Sequence, residues 1–283
     1  MTNVAFSIDW LTVTFPLDLN GFWPKNVAIE PQALSKEIPS RRPYNQGVQV
    51  GQAKIYWHDQ HPEFRVMVVL DGQALAEMRS RNIHDEYLRE WIKKHDGKIS
   101  RVDFAADIFD AGAHAPDIYH AWECDQIMTT SQTVSLIVTG KKAMGGATTY
   151  IGSRSSERMI RVYDKGKQQG TKLDWTRVEI ELKGQRAHQV LDMTTDMDAQ
   201  TVLLNVLRDI IEWSDVDWLE NLWADKYEEV EIEKLGRPET DHERWIRTVC
   251  LPAIEKAAKA GMQGIETALK GIIAEIDENG VHG

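Results

Sequence analysis

The chain has 283 residues, of which 42% are hydrophobic, and its formal net charge at pH 7 is −11. This length can bury one large core or a core with an accessory region. No run of about 18 apolar residues could span a bilayer, and no basic and then apolar leader begins the chain, so we predict a cytoplasmic protein with no membrane partner.

The charge is distributed unevenly along the chain. Residues 1–190 carry a net charge of +1, whereas residues 191–283 carry −12. Residues 141–190 contain 11 bases and 5 acids. A local basic surface is what a nucleic-acid-binding protein needs, so the acidic total does not exclude DNA as a partner. The alternative, that the basic strands only balance an acidic region, remains open.

Apolar runs rich in β-branched and aromatic residues predict eight strands. In chain order they are Val4–Phe15, Val48–His58, Glu63–Leu70, Lys98–Phe109, Thr133–Thr139, Ala147–Gly152, Arg158–Lys165 and Thr176–Lys183. Helical spacing is found in Asn82–Lys94 and Asp117–Met128. Short turns between neighbouring runs favour antiparallel pairing. The predicted fold class is therefore α+β, with a large curved antiparallel sheet flanked by helices.

Two further segments complete this organisation. Residues 16–47 hold five of the nine prolines and no clear period, which predicts a long loop. From about Ala187 the pattern becomes helical, as in Val202–Trp213 and Ala253–Ile276. We therefore predict one domain over residues 1–190, which holds all the predicted strands, and a helical acidic region over residues 191–283. For the acidic region, solvated helices, homodimer contacts, contact with a host helicase and DNA mimicry all remain open.

The strand Arg158–Lys165 contains a tyrosine between two bases. Side chains two apart in a strand share a face, so Arg161, Tyr163 and Lys165 are predicted to point the same way. Both cations would then lie close enough to act on one phosphate held over the phenol. A tyrosine becomes an adequate nucleophile when its pKa is lowered or its proton is removed, and neighbouring cations would help to lower it.

Four acidic residues lie in alternate positions of two other predicted strands. Asp103 and Asp107 flank the small Ala105, and Glu179 and Glu181 share a face with Arg177 and Lys183. Carboxylate oxygens suit Mg²⁺ or Mn²⁺, ions that neutralise phosphate charge during transfer. The chain has no His-hydrophobe-His motif, so we place the metal on carboxylates, with Asp9 as a fifth candidate.

A structural interpretation stands beside the catalytic one. A tyrosine in a strand is most often a packing residue, and alternating Arg and Glu on neighbouring strands are often cross-strand ion pairs. Catalysis requires that the three strands adjoin. Four uncompensated carboxylates would repel DNA unless a metal lies among them, which argues against a purely DNA-binding role.

These segments carry a family resemblance. They are FSIDWLTVTF (Phe6 to Phe15), SRVDFAAD (Ser100 to Asp107), TTYIGSRSSERMIRVYDKG (Thr148 to Gly166) and TRVEIELK (Thr176 to Lys183). In this order they resemble the Rep-trans-type replication initiation factors of rolling-circle plasmids and filamentous phages, which include some conjugative relaxases. The resemblance covers roughly residues 4–190, and the hairpin from GSR to YDK is its most specific part.

The resemblance implies a mechanism and roles for residues. Tyr163 would attack one DNA strand at an origin, remain joined to the 5′ phosphate and leave a 3′-OH primer, with Mg²⁺ or Mn²⁺ assisting. Asp103 and Glu179 are implied as the first-choice metal ligands, ahead of Asp107 and Glu181. The bases expected to contact phosphate or DNA are Arg154, Arg161, Lys165, Arg177 and Lys183. A metal-dependent nuclease that uses water, and a non-catalytic origin- or operator-binding regulator, are the alternatives.

Overall fold

The computed structural model describes residues 3–16, 35–61, 64–110, 112, 114–140, 146–193, 198–217 and 219. The chain divides into two compact units, residues 1–232 and 233–283, and all described residues lie in the first. The predicted helix at residues 253–276 lies outside the described residues. The predicted domain boundary at residue 190 stays a prediction.

The described part of the chain contains twelve strands and six helices. The strands are β1 (Asn3–Phe15), β2 (Ser35–Glu37), β3 (Gln46–Val50), β4 (Ala53–Trp57), β5 (Val66–Asp71), β6 (Lys98–Phe109), β7 (Ile127–Thr129), β8 (Val134–Thr139), β9 (Gly146–Ile151), β10 (Arg158–Asp164), β11 (Trp175–Lys183) and β12 (Ile211–Ser214). The helices are α1 (Gly72–Ser80), α2 (Asp85–Lys94), α3 (Ala115–Glu123), α4 (Lys165–Gln168), α5 (Gly184–Met193) and α6 (Ala199–Ile210).

Ten of these strands form one antiparallel sheet in the order β2-β3-β4-β5-β1-β6-β11-β10-β9-β8. The strands predicted to carry the chemistry, β6, β11 and β10, are consecutive in this order. The condition that they adjoin is therefore met. The α+β class and the antiparallel sheet flanked by helices are confirmed.

Five of the six described helices, all except α4, pack on one face of the sheet. Phe104, Ile108, Ile180 and Val162 point to that face, are at most 2% exposed and belong to one large apolar cluster. The cluster also includes residues of α1, α2, α3, α5 and α6. Alternation in β6, β10 and β11 thus assigns one set of side chains to the core, and the intervening set to the opposite face.

Two predictions for the first half of the chain are wrong in detail. The run Val48–His58 is a hairpin of β3 and β4 rather than one strand, because Gly51 adopts a left-handed φ of +57° at the turn. The predicted loop over residues 16–47 contains β2, which pairs with β3. Strand β2 forms because it pairs with β3, and the local sequence pattern does not show this pairing.

Two helices are shorter than the apolar patterns that predicted them. The pattern Val202–Trp213 divides into α6 and β12, and the pattern Asp117–Met128 gives way to β7. Strands β7 and β12 pair in a two-stranded sheet, where the Thr129 hydroxyl also donates to the Ile210 carbonyl at 2.8 Å. Pairing across about 80 positions of the chain overrides the local helical preference.

Helix α1 was not predicted from the sequence, although it has a clear N-terminal signal. The Asp71 side chain accepts a hydrogen bond from the Ala74 backbone N–H at 3.1 Å, as an N-cap does. Its apolar residues Ala74, Leu75 and Met78 pack into the large cluster. None of the helices in the described residues is long and apolar enough to cross a membrane.

Candidate active site

The predicted site residues meet on the sheet face opposite the helices. Tyr163 lies directly opposite Arg177, which in turn lies opposite Asp107. In the neighbouring row, Arg161 lies opposite Glu179, which lies opposite Ala105. Residues in register across a sheet share a face, so the register alone brings the nucleophile candidate beside the carboxylates.

The third row pairs Glu181 with Asp103. Asp103, Glu179 and Glu181 are 1%, 4% and 4% exposed. The carboxylates on this face are therefore shielded from solvent. A solvated face of ion pairs would leave them exposed. Buried carboxylates are costly unless they are paired, and each of these is paired with arginine.

Arg161 joins two of the carboxylates. Its Nη2 lies 2.7 Å from an oxygen of Asp103 and 2.5 Å from an oxygen of Glu179. The Nε of Arg161 is buried and, among the described residues, has no hydrogen-bond partner. The guanidinium thus occupies the position of a cation between Asp103 and Glu179 while one of its own donors is unsatisfied.

A second arginine, Arg101, covers the other end of the same cluster. It makes two hydrogen bonds to Asp103, at 2.8 and 2.6 Å, and lies 2.8 Å from Glu181. Lys183 lies 2.5 Å from the other oxygen of Glu181. Arg101 was not among the predicted site residues, although its alternation with Asp103 along β6 was a signal that could have identified it.

Arg177 is fixed by two aspartates. It binds both oxygens of Asp107 at 2.7 Å and one oxygen of Asp9 at 2.7 Å. Asp107 also accepts a hydrogen bond from the Trp175 indole at 2.7 Å. Asp9 reaches the face because the register between β1 and β6 shifts between Ile8 and Trp10. A β-bulge of this kind re-aims a side chain, and sequence alternation does not show it.

The carboxylates are therefore not uncompensated, and the sequence argument based on their repulsion of DNA was wrong on this point. The arginines that compensate them come from three strands. Arg101 is on β6, Arg161 on β10 and Arg177 on β11. Only the register of the sheet determines which charges meet.

Tyr163 lies half-buried among these groups, close enough to Glu179 to interact with its charge. Burial, followed by the negative charge of Glu179, raises the pKa of Tyr163 above its usual value, although Arg177 acts in the opposite direction. The expectation that a neighbouring cation lowers this pKa holds for Arg177, but burial and Glu179 outweigh it in the protein without ligands. Because an ordinary tyrosine already has a pKa near 10, a phenol whose pKa is raised further remains protonated at neutral pH.

Lys165 is close to Tyr163 but does not lie in the strand. Strand β10 ends at Asp164, whose side chain accepts a hydrogen bond from the Lys167 backbone N–H at 2.8 Å and begins α4. The Lys165 ammonium lies 5.7 Å from the centroid of the Tyr163 ring. Burial and the charge of Arg177 lower the pKa of Lys165. Lys165 is therefore close to Tyr163, as predicted. It is held there by the start of α4, and not by a shared strand face.

Glu179 has the most altered acidity of the carboxylates. Burial raises the pKa of Glu179 to about 7, and Asp103 and Asp9 add to this effect while Arg161 opposes it. A second cation shared by Glu179 and Asp103 would relieve the repulsion between them.

The donor chemistry fits a magnesium or manganese ion held by few protein ligands. No three His, Cys, Asp or Glu side chains of the described residues are grouped around one metal position. Asp103 and Glu179 are nevertheless bridged by one cationic group, Arg161. Mg²⁺ is commonly bound by one or two carboxylates, with waters and substrate phosphates completing its shell. Asp107 is engaged by Arg177, and Glu181 by Arg101 and Lys183.

Arg154 lies apart from the carboxylates, in the turn between β9 and β10. It is exposed, and its Nη2 donates to the Tyr150 hydroxyl at 3.1 Å. The Lys183 ammonium donates to the Arg154 carbonyl at 2.6 Å. The structure therefore brings Arg161, Arg177 and Lys165 around Tyr163, and it places Arg154 with Tyr150.

Comparison with known proteins agrees with this fold. Residues 97–273, more than half of the chain, match the family described as "Replication initiation factor" (Rep_trans). The chain therefore belongs to the replication initiation factor family, and the resemblance seen in the sequence is confirmed.

Two individual proteins are similar to the chain. A Bacillus subtilis (strain 168) protein named "Putative DNA relaxase NicK" is 22% identical over 255 residues, which cover 79% of this chain and 72% of that protein. The structure of a rolling circle replication initiator protein from Geobacillus stearothermophilus superposes with a TM-score of 0.65 at 21% identity. That match covers 78% of this chain and 96% of the other, and it shows a shared fold.

Proposed function

We propose that this protein nicks one strand of DNA at a replication origin through a covalent bond between Tyr163 and the 5′ phosphate, leaves a 3′-OH primer and later rejoins the strand. The observation that carries the proposal is the position of Tyr163. It lies opposite Arg177 and within electrostatic reach of Glu179, in a family of replication initiation factors. The two similar proteins, whose names describe a relaxase and a rolling circle initiator, support the same activity.

The reaction exchanges one phosphate ester for another. The Tyr163 oxygen attacks phosphorus, the bond between phosphorus and the 3′ oxygen breaks, and the 3′ oxygen takes up a proton. The phenol proton leaves to a neighbouring acceptor. Because the phosphotyrosine retains the energy of the original ester, attack by a 3′-OH on it rejoins a strand and releases Tyr163.

The basic groups around Tyr163 would bind and orient the scissile phosphate. The Arg161 side chain is 23% exposed, so a phosphate oxygen could reach its guanidinium group. Lys165 lies over the phenol ring. Arg177 and Lys183 keep positive charge along β11, at each end of the carboxylate cluster. Positioned cations of this type stabilise charge as it develops on the transferring phosphate.

A divalent metal would be held by Asp103 and Glu179, with Asp107 and Glu181 as further candidates. When bound, it would neutralise phosphate charge and cancel the negative charge that raises the pKa of Tyr163. Asp103 and Glu179 are suited to this because each already contacts one shared cation, Arg161. Arg161 would then be free to turn to the phosphate.

The partner of the site would be origin DNA, single-stranded or in an extruded hairpin at the nick. We expect the protein to act in the cytoplasm. For the acidic region from residue 191 onward, contacts with a second copy or with a host helicase remain proposals, since residues 220–283 lie outside the described part of the chain.

A regulator that binds an origin or operator without cleaving it is the second candidate. The specific observation in its favour is that Asp103, Asp107, Glu179 and Glu181 are all neutralised by bases. Such a face need not repel DNA in the absence of metal. A nuclease that uses water is the remaining alternative, and it predicts cleavage without an adduct.

The deciding experiment is an adduct assay. Purified protein is incubated with supercoiled and single-stranded DNA of its own genetic element, with and without Mn²⁺, and denatured. We expect a protein–DNA adduct that maps to Tyr163 by peptide mass spectrometry, that is lost in Tyr163→Phe and that persists in Tyr119→Phe, a matched change on α3. Specific binding without a nick would favour the regulator, and a nick without an adduct would favour the nuclease.

A further inference from the structure

The sheet face that carries Tyr163 continues across two more strands. On β9, Thr148 lies opposite Tyr163 and Tyr150 lies opposite Arg161. On β8, Ser135 lies opposite Tyr150 and Ile137 lies opposite Thr148. These side chains therefore share the face of Tyr163. The other face packs on α3, where the buried Thr149 hydroxyl donates to the Ala115 carbonyl at 2.5 Å.

This extension of the face differs chemically from the active site. Strands β8 and β9 contain no acidic residue, and their outward side chains are a tyrosine, an isoleucine and small hydroxyl groups. Ile137 is 42% exposed on the edge strand. An aromatic ring, apolar area and hydroxyl groups beside positive charge are what single-stranded nucleic acid binds, since bases stack and phosphates are neutralised.

The Tyr150 side chain is fixed by Arg154, which lies in the turn after β9. The Arg154 guanidinium carbon lies 5.2 Å from the centroid of the Tyr150 ring, and its Nη2 donates to the Tyr150 hydroxyl at 3.1 Å. The Arg154 carbonyl is in turn held by Lys183 at 2.6 Å. An aromatic ring fixed in this way loses little conformational entropy when a base stacks on it, and the exposed guanidinium supplies charge for the adjoining phosphate.

The distance to the nucleophile is suitable. Tyr150 and Tyr163 are diagonal neighbours on adjacent antiparallel strands, a relationship that places such residues about 7–8 Å apart. A nucleotide next to the phosphate at Tyr163 would thus lie beside Tyr150.

We propose that the outer face of β8 and β9 is a binding track for single-stranded DNA adjoining the scissile phosphate, in which Tyr150 stacks on a base and Arg154 contacts the backbone. This inference rests on the proposed function, because it assumes DNA at Tyr163. It adds a base-stacking subsite that tolerates any sequence, since every base offers a π-face.

The test measures binding rather than cleavage. A fluorescein-labelled oligothymidylate of about 12 nucleotides, within the range of single-strand site sizes, is titrated with the full chain and followed by anisotropy. We expect Tyr150→Ala to weaken binding about tenfold and Tyr150→Phe to leave it nearly unchanged. Tyr87→Ala, a matched change at an exposed tyrosine on α2, should leave affinity unchanged.

An abasic oligonucleotide of the same length separates stacking from charge. Without bases, Tyr150→Ala and the wild type should bind equally, whereas Arg154→Ala should still weaken binding. Thermal unfolding of each variant checks that the fold is retained, and Tyr150→Leu provides a variant that keeps apolar volume if alanine unfolds the protein.

Three results would overturn the inference. They are equal oligothymidylate affinity for a folded Tyr150→Ala variant and the wild type, no binding by the wild type, or a change in sedimentation that shows the face to be covered by a second copy. The Tyr163 adduct assay is independent of these readouts, so loss of the track and loss of the nicking function are distinguishable.

Discussion

Arg161 Nη2 lies 2.5 Å from Glu179 Oε1 and 2.7 Å from Asp103 Oδ2, so a single guanidinium bridges the two carboxylates that the resemblance implied as metal ligands. The negative charge of the same Glu179 raises the pKa of Tyr163. The proposed nucleophile, the proposed metal ligands and a base proposed to bind phosphate therefore interact with one another, and a change to one of them alters the others.

Glu179→Gln should flatten the dependence of stability on pH. Because the pKa of Glu179 is about 7 in the folded protein and near 4.5 as an ordinary glutamate, the folded state holds a proton that the unfolded state releases between these values. The wild type should then lose stability, about 2 kcal/mol, as pH rises from 4.5 to 7. Urea unfolding in metal-free buffer across this range measures it, with the exposed Glu86→Gln as control. A slope unchanged by Glu179→Gln would contradict the prediction.

Asp103→Asn should weaken the response to metal. It removes one of the two carboxylate groups proposed to bind the ion, and we expect the Mn²⁺ concentration for half-maximal adduct formation to rise roughly 10- to 100-fold. Asp125→Asn changes an exposed aspartate at the end of α3 and should have no effect. Equal metal responses in the Asp103→Asn variant and the wild type would remove Asp103 from the ligand set.

Arg177→Met should destabilise the fold by about 3–5 kcal/mol, because it leaves Asp107 buried and without its charged partner. The double variant Arg177→Met with Asp107→Leu should recover most of this loss, since apolar groups of similar size tolerate burial. Urea unfolding of the wild type, both single variants and the double variant gives the coupling energy. If the two losses simply add, the pair does not act as a unit.

Gly166→Ala should disturb the turn that presents Lys165. A Cβ at this position would overlap the Leu173 carbonyl, which is backbone and cannot rotate away. We expect a loss of about 1–3 kcal/mol in the free energy of unfolding and reduced adduct formation. Gly146→Ala is the matched control, since nothing lies within 4 Å of its added Cβ. Similar unfolding energies for the two variants would refute this account.

Much of the site followed from alternation along single strands. The spacing of Arg161 and Tyr163, and of Arg177, Glu179 and Glu181, fixed which side chains share a face, because the pleat has a period of two residues. The apolar residues between them fixed the core face for the same reason. The motif order identified the family, which the match over residues 97–273 confirms.

The local pattern did not show where strands bend, end or pair. Three features depend on hydrogen bonds to distant or capping partners. They are the bulge that turns Asp9 toward Arg177, the start of α4 after Asp164, and the hairpin inside Val48–His58. The two-stranded sheet of β7 and β12 depends on contact between segments about 80 residues apart. A single-strand period contains no information about such partners.

The sequence by itself thus determined the family, the sheet and the candidate nucleophile, because these follow from strand periodicity and motif order. Only the tertiary structure decided that each carboxylate is neutralised, that the pKa of Tyr163 is raised rather than lowered, and that Tyr150 and Arg154 extend the same face. The reason is physical: the charge state and exposure of a side chain depend on which strands lie next to its own, and register across the sheet sets those neighbours.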